Sequence, residues 1–295
     1  MQVKLDESRN RLEFVHLMRW IRRGTTIPVL RFTGPIGMAT PLRPGLSLAS
    51  AAGPIERAFA DKSAPAVAII VNSPGGSPVQ SRLIADRIRK LSEEKAKPVY
   101  VFAEDVMASG GYLLALCGEA IYADESSIVG SIGVITSGFG FDRAIERLGI
   151  DRRVYTAGTQ KMSLDPFQPE KADDVERLRS LQREVHQAFI AFVKERRGAR
   201  LKGSDDELFQ GAFWSGRRAV ELGLVDGLND VRTKMRSLYG EKVKLKLITG
   251  ERGWLRRQIG LSRPGPRPIG WEPPSLVEEA VSALEARALW ARHGM

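Results

Sequence analysis

Two glycine-rich turns carry residue types and spacing suited to chemistry: "NSPGGS" at 72–77 and "ASGG" at 108–111. Each follows a buried-strand pattern and opens a helical one. Helix N-termini expose backbone N–H groups and partial positive charge, so such turns stabilise negative oxygen. If the two strands are neighbours, the N–H groups of Gly75 and Gly110 face one pocket. There they would grip a carbonyl oxygen as it becomes an oxyanion, and loss of one such donor typically costs roughly 3–4 kcal/mol. Ser109 stands beside that pair, placed to attack the same carbonyl. Taken singly, "ASGG" reads as helix–strand packing and "SPGG" as a tight turn. Matching positions in successive strand–helix units are what point to catalysis.

A serine nucleophile needs a base. The chain has three histidines, His16, His186 and His293, and none adjoins either turn. The GxSxG elbow is also absent, since Ser109 stands in "MASGG", so no Ser-His-Asp triad is expected. The alternative base is lysine. Lys161, in "AGTQKMSLDPF", has uncharged neighbours rather than the glutamates around an ordinary surface lysine, although a solvated loop residue fits the same pattern. A lysine of ordinary pKa, about 10.4, costs about 4.6 kcal/mol to deprotonate at pH 7. Burial that brings a lysine to about 7–8 reduces that cost to roughly 0–1.4 kcal/mol. Such a base needs a dry pocket and a hydroxyl neighbour, for which Ser131 in "GSIGV" is the candidate.

The elements that must position these residues alternate along the chain. Strands are predicted at 26–32, 65–71, 97–103, 120–125, 131–135 and 151–157. Helices are predicted at 12–23, about 49–61, after the 72–77 turn, from Ser109 onward, 170–197, near 216–222 and 228–239, and at 275–292. The helix after the 72–77 turn carries Val79, Leu83, Ile84, Ile88 and Leu91 on one face. The 170–197 helix carries Val175, Leu178, Leu181, Val185, Phe189, Phe192 and Val193. Alternating strands and helices predict an α/β protein with largely parallel pairing. The expected division is a basic amphipathic segment at 1–25, a catalytic domain at 26–240, and a basic linker with an amphipathic helix at 241–295.

The 295 residues are 43% apolar, enough for a sizeable core without staples. One cysteine, Cys117, excludes an intramolecular disulfide and reads as a core residue. The apolar runs fall far short of the ~20 residues that cross a bilayer. The charged N-terminus has no signal core, so a cytoplasmic location is the default. A net charge of +10 raises nucleic acid or anionic lipid as partners, but no nucleic-acid motif is present. The basic ends, 12–23 and 242–267, read as solvated surface or a peripheral contact with the inner face of an anionic membrane.

With those residues assembled, the chain resembles the signal peptide peptidase A family of Ser/Lys serine peptidases. The matching pieces are "IIVNSPGGS" (69–77), "VYVFAEDVMASGGYLLAL" (99–116), "AIYADESSIVGSIGVI" (120–135), "AGTQKMSLDPF" (157–167) and "GAFWSGRRAVELGLVDGL" (211–228). The resemblance implies Ser109 as nucleophile, Lys161 as general base, Gly75 and Gly110 at the oxyanion hole, and Ser131 as the residue that positions the lysine. It also implies the Clp protease/crotonase-like spiral of strand–strand–helix units, here with extra C-terminal helices. No metal or nucleotide cofactor is implied. The expected substrates are small peptides such as signal-peptide remnants. The expected assembly is a homo-oligomer in which serine and lysine of one site come from neighbouring protomers. Two competing classes use the same fold: a crotonase-like acyl-CoA enzyme, with Glu104 or Asp105 as its carboxylate, and a non-catalytic scaffold.

Overall fold

The computed structural model describes residues 25–37, 45–158 and 160–249, together with Leu284, Arg287, Trp290 and Ala291, all four helical. The helix expected at 12–23 and the linker at 263–274 lie outside the described residues, as do most of the basic ends.

Three β-branched runs form the centre of an eight-stranded sheet: β1 (Thr26–Thr33), β2 (Val67–Ser73) and β3 (Val99–Ala108). They pair in parallel, β1 on β2 and β2 on β3. Their side chains are buried on both faces, Ile27, Val67, Ile69, Val71, Val99 and Val101 among them. That is why these runs are nearly continuous in apolar residues rather than alternating. Each strand feeds a helix: α1 (Leu48–Ala60), α2 (Pro78–Lys95) and α3 (Gly110–Ala115).

Each strand also passes through a second extended stretch before its helix. After β1 and β2, Ile36 and Gly76 bridge in parallel. Within β3, Tyr100–Phe102 pair with β4 (Ala120–Ala123), whereas Val106–Ala108 pair with β5 (Ile128–Gly130). Strand, strand, helix thus repeats three times, which is the spiral the resemblance implied. The bend in β3 has a visible device. Opposite Val71 and Ser73, β3 advances from Ala103 to Met107, two residues more than its partner. The Asn72 side chain fills the gap, accepting from the Val106 N–H at 3.2 Å and donating to Asp105 at 2.6 Å.

Beyond this centre, β6 (Phe213–Ser215) runs antiparallel to β5, β7 (Gly227–Leu228) extends β4, and β8 (Lys244–Leu247) flanks β1. The last pairing carries the sheet past residue 240, where the catalytic domain was expected to end. The remaining helices are α4 (Asp142–Arg147), α5 (Ala172–Arg197), α6 (Asp205–Leu208), α7 (Gly216–Glu221) and α8 (Val231–Tyr239). Among the described residues no helix is long and apolar enough to cross a membrane. Cys117 is buried, and burial pushes its thiol up to about 12, so it is the inert core residue expected.

Several expectations fail in one region. No strand forms at 131–135 or 151–157; residues 131–141, 148–158 and 160–171 are irregular, with α4 after the first of these stretches. Ser131, with φ of 54°, turns the chain away from β5. On α5 the apolar stripe is buried only at its C-terminal end, by Phe189, Phe192 and Val193, while Leu181 is 57% exposed. On α2, Ile84, Ile88 and Leu91 face the core but Val79 and Leu83 do not. The stretch 133–171 and the first half of α5 form an arm with little burial. It is held by local contacts: the Phe141 and Phe167 rings at 5.6 Å, the Phe141 N–H to the Pro166 carbonyl at 2.6 Å, and Arg152 on Asp165 at 2.8 Å. Burial is the largest influence on Asp165 and raises its pKa, but the Arg152 hydrogen bond, the Phe167 N–H and the Arg152 charge together outweigh it and hold the carboxyl below its usual range.

The far end of α5 is locked to the sheet by a buried ion pair. Arg197, its side chain 2% exposed, grips Asp226 at 2.8 and 3.0 Å, and Asp226 also accepts the Ile121 N–H of β4 at 2.7 Å. One strand-end away, Tyr112 of α3 donates to the Leu224 carbonyl at 2.8 Å. Replacing Arg197 with Met leaves Asp226 only the more distant Arg200, at 3.4 Å, as a cationic partner, which should cost roughly 3 kcal/mol in urea unfolding, the lower end for a broken buried pair. For Asp226, desolvation raises the pKa, but the Arg197 hydrogen bond and charge lower it further, for a net depression. The pair's contribution is therefore full above the unfolded carboxylate range, about 4, and is lost as pH falls through the lower folded value. Wild type should lose stability across that acid window more steeply than Asp226→Asn.

Candidate active site

Ser109 sits where β3 ends and α3 begins, with φ of 51° and ψ of −122°. A non-glycine residue at positive φ stores roughly 1–3 kcal/mol of backbone strain and persists only when its surroundings fix it. Here the Ser109 N–H donates to the Gly130 carbonyl of β5 at 2.7 Å, and its own carbonyl accepts from Leu113 at 2.9 Å. Its hydroxyl makes no cap bond with the helix. The residue lines a cavity of about 650 Å³ together with Gly76, Gly110, Leu113, Ser131 and Val185.

The "NSPGGS" turn meets this serine as expected. Gly75 packs so tightly that an added Cβ would lie 2.7 Å from Ser109 Cβ and 2.9 Å from Gly110 N, and its φ of +108° already excludes most side chains. The Gly75 N–H, however, donates to Ser73 Oγ at 3.2 Å. It is the next residue, Gly76, that lines the cavity. The bridge to Ile36 uses the flanking Gly75 carbonyl and Ser77 N–H, so the N–H of Gly76 faces the other way, toward Gly110. Gly110 opens α3, so its N–H has no intrahelical partner. Two donors from two turns thus converge beside one hydroxyl.

Ser131 is buried on the opposite wall, held by its N–H to the Ala212 carbonyl at 2.6 Å. Lys161 is not in this group. It lies exposed on the arm, in the turn following Gly158, and does not line the cavity. The structure also brings in residues the sequence reading passed over: Val185, His186 and Phe189, one face of α5, roof the cavity. Their helical spacing was legible, but which half of α5 would reach the sheet was not. The carboxylates considered for crotonase chemistry point elsewhere. Glu104 pairs with Arg31 at 2.7 Å and Asp105 holds Asn72; among the described residues no Asp or Glu lines the cavity.

Residues 92–246, just over half of the chain, match the model of peptidase family S49. The chain belongs to peptidase family S49. Its relatives include proteins named putative signal peptide peptidase SppA and protease 4. A putative protease of Synechocystis sp. is 32% identical over 206 residues, 68% of this chain and 73% of that protein. A putative signal peptide peptidase SppA of Enterococcus faecium is 33% identical, over 62% of this chain and 52% of its own length. A much higher identity, 54% over 92% of this chain, is shared with a Brucella abortus protein named Na(+)/H(+) antiporter NhaA. The chain spans only 37% of that relative, little more than a third of its length.

The tight fit at Gly75 gives a test. Gly75→Ala should lower the peptidase rate about 100-fold or more, because its methyl displaces Ser109 and crowds the Gly110 donor. Hydrolysis and thermal melting measured on one sample check this; a folded, fully active variant contradicts the geometry.

Proposed function

We propose that the chain is an endopeptidase that cleaves small peptides, such as signal-peptide remnants, through an acyl-enzyme on Ser109. The observation that carries this reading is the strained serine, in a 650 Å³ cavity, beside the inward-facing N–H groups of Gly76 and Gly110. Ser109 Oγ attacks the scissile carbonyl as Lys161 takes its proton. The oxyanion is received by the Gly110 N–H and by the "SPGG" turn, where Gly76 presents its N–H and Gly75 provides the room. The amine product leaves with that proton; neutral Lys161 then draws a proton from water, the resulting hydroxide attacks the ester carbonyl, and the proton returns to Ser109 Oγ as the acyl group is released. Ser131, on the cavity wall, orients the lysine amine. Among the described residues no carboxylate lines the cavity, so proton abstraction by Glu or Asp in the crotonase manner has no support there.

Lys161 lies on the arm, outside the cavity that holds its serine, and we propose that it serves the cavity of a neighbouring protomer. The arm has the surface for this. Among the described residues Val134, Ile135, Phe139, Phe141, Leu148, Ile150 and Tyr155 are all more than a third exposed, Phe139 at 80% and Tyr155 at 91%. So many apolar side chains on one projection mark an interaction surface, and a second copy of this chain fits it. The antiporter name belongs to relatives of whose length the match with this chain spans 37%, and our reading rests on the peptidase-family match instead.

Fluorogenic peptides test both parts. Ser109→Ala and Lys161→Ala should each lose hydrolysis while staying folded. Mixed in equal amounts and allowed to exchange subunits, the two dead variants should recover up to about a quarter of wild-type activity, since one pairing in four joins an intact serine to an intact lysine. Undiminished cleavage by Ser109→Ala would refute the nucleophile. No recovery in subunit-exchanged mixtures would place the lysine in the same chain as its serine.

A further inference from the structure

The face of α5 that roofs the cavity continues beyond it as a basic strip. Arg179, Gln182, Arg183 and His186 follow one another at helical spacing and, with Val134, line a shallow depression of about 190 Å³. Val134 and His186 also line the catalytic cavity, so the two spaces adjoin. We propose that this strip binds a carboxylate carried by the peptide substrate, in a subsite next to the scissile bond. The proposal rests on the peptidase reading and specifies the peptides that the site selects.

Three observations support it. None of the five lining residues is acidic. Arg183 is engaged by Glu176 at 2.7 Å, and the Glu176 charge is also felt by Arg179, but no salt bridge holds the Arg179 guanidinium among the described residues. The strip is also held in register with the cavity wall: Gln182 donates to Thr136 at 3.1 Å, and a ring nitrogen of His186 meets the Ile132 carbonyl at 3.2 Å. Guanidinium forks at fixed positions match a carboxylate in shape as well as charge. A peptide lying past Ser109 and over Ile132–Val134 brings its next residues onto this strip. Every short peptide ends in such a group, whereas an internal stretch of a long chain carries one only at Asp or Glu. The strip thus favours peptide remnants with nearby free C-termini, or acidic residues near the cut.

The test uses N-terminally fluorescein-labelled short peptides in three forms: free C-terminal acid, C-terminal amide, and amide with Glu as last residue. Anisotropy on the full chain carrying Ser109→Ala measures binding without turnover. The acid should bind about 5-fold tighter than the amide at low salt, with the advantage shrinking in high salt. If the Glu-amide matches the acid, side-chain carboxylates are received as well; if it matches the amide, the strip reads the chain terminus. Either supports the subsite. Adding Arg179→Ala and Arg183→Ala should bring the acid-to-amide ratio to about one. Equal binding of all three forms, or a ratio that survives the double substitution, overturns the inference. Wild-type hydrolysis of the same peptides is read in parallel. Its absence would count against the peptidase reading, while the binding ratio would still decide this one.

Discussion

The geometry of the site depends on one strained residue. Ser109 is held at positive φ because β5 takes its N–H on one side and the glycine turn after β2 closes on the other. Relaxing that conformation would swing the hydroxyl out of the cavity and turn the Gly110 N–H away from it. The strain of roughly 1–3 kcal/mol is sustained by a sheet whose three central strands are buried on both faces. Asn72 ties the bend of β3 to β2, so the serine's own strand and the glycine turn move as one body. The packing of Gly75 against Ser109 then leaves the cavity no freedom to shift relative to its nucleophile.

The arm obeys a different economy. It buries little of its own surface and is held by local contacts such as Arg152 on Asp165 and the Phe141–Phe167 pair. A segment built this way, with several large apolar side chains exposed, would gain stability from any surface that covered them. Our assignment of Lys161 to a neighbour's cavity makes the base available only on assembly. On that assignment a cavity without a neighbour's lysine would be inactive as an isolated subunit.

The centre of the fold was legible because burial on both faces writes itself as unbroken β-branched runs, "VAIIV" and "VYVFA" among them, each followed by a helical pattern. The glycine turns were legible for the same reason: backbone approach within a van der Waals radius admits no side chain. The stretches 131–135 and 151–157 misled because their local composition suits a strand, yet a strand exists only with a partner, and Ser131 turns the chain away from β5. The stripe on α5 predicted a buried face along its whole length, but sequence periodicity cannot say which half meets the sheet. His186 therefore seemed remote from any motif until α5 was seen to roof the cavity. The choice between Gly75 and Gly76 turns on a single hydrogen bond, Gly75 to Ser73, and on a bridge to Ile36 more than thirty residues earlier in the chain.

The most direct measurement is covalent. A fluorophosphonate reacts only with a serine that is both activated and open to the cavity, and peptide mass spectrometry locates the adduct. The account predicts a single adduct on Ser109, formed by the assembled wild-type chain and lost in Lys161→Ala. An adduct on another serine, or none under conditions where peptides are cleaved, would contradict it.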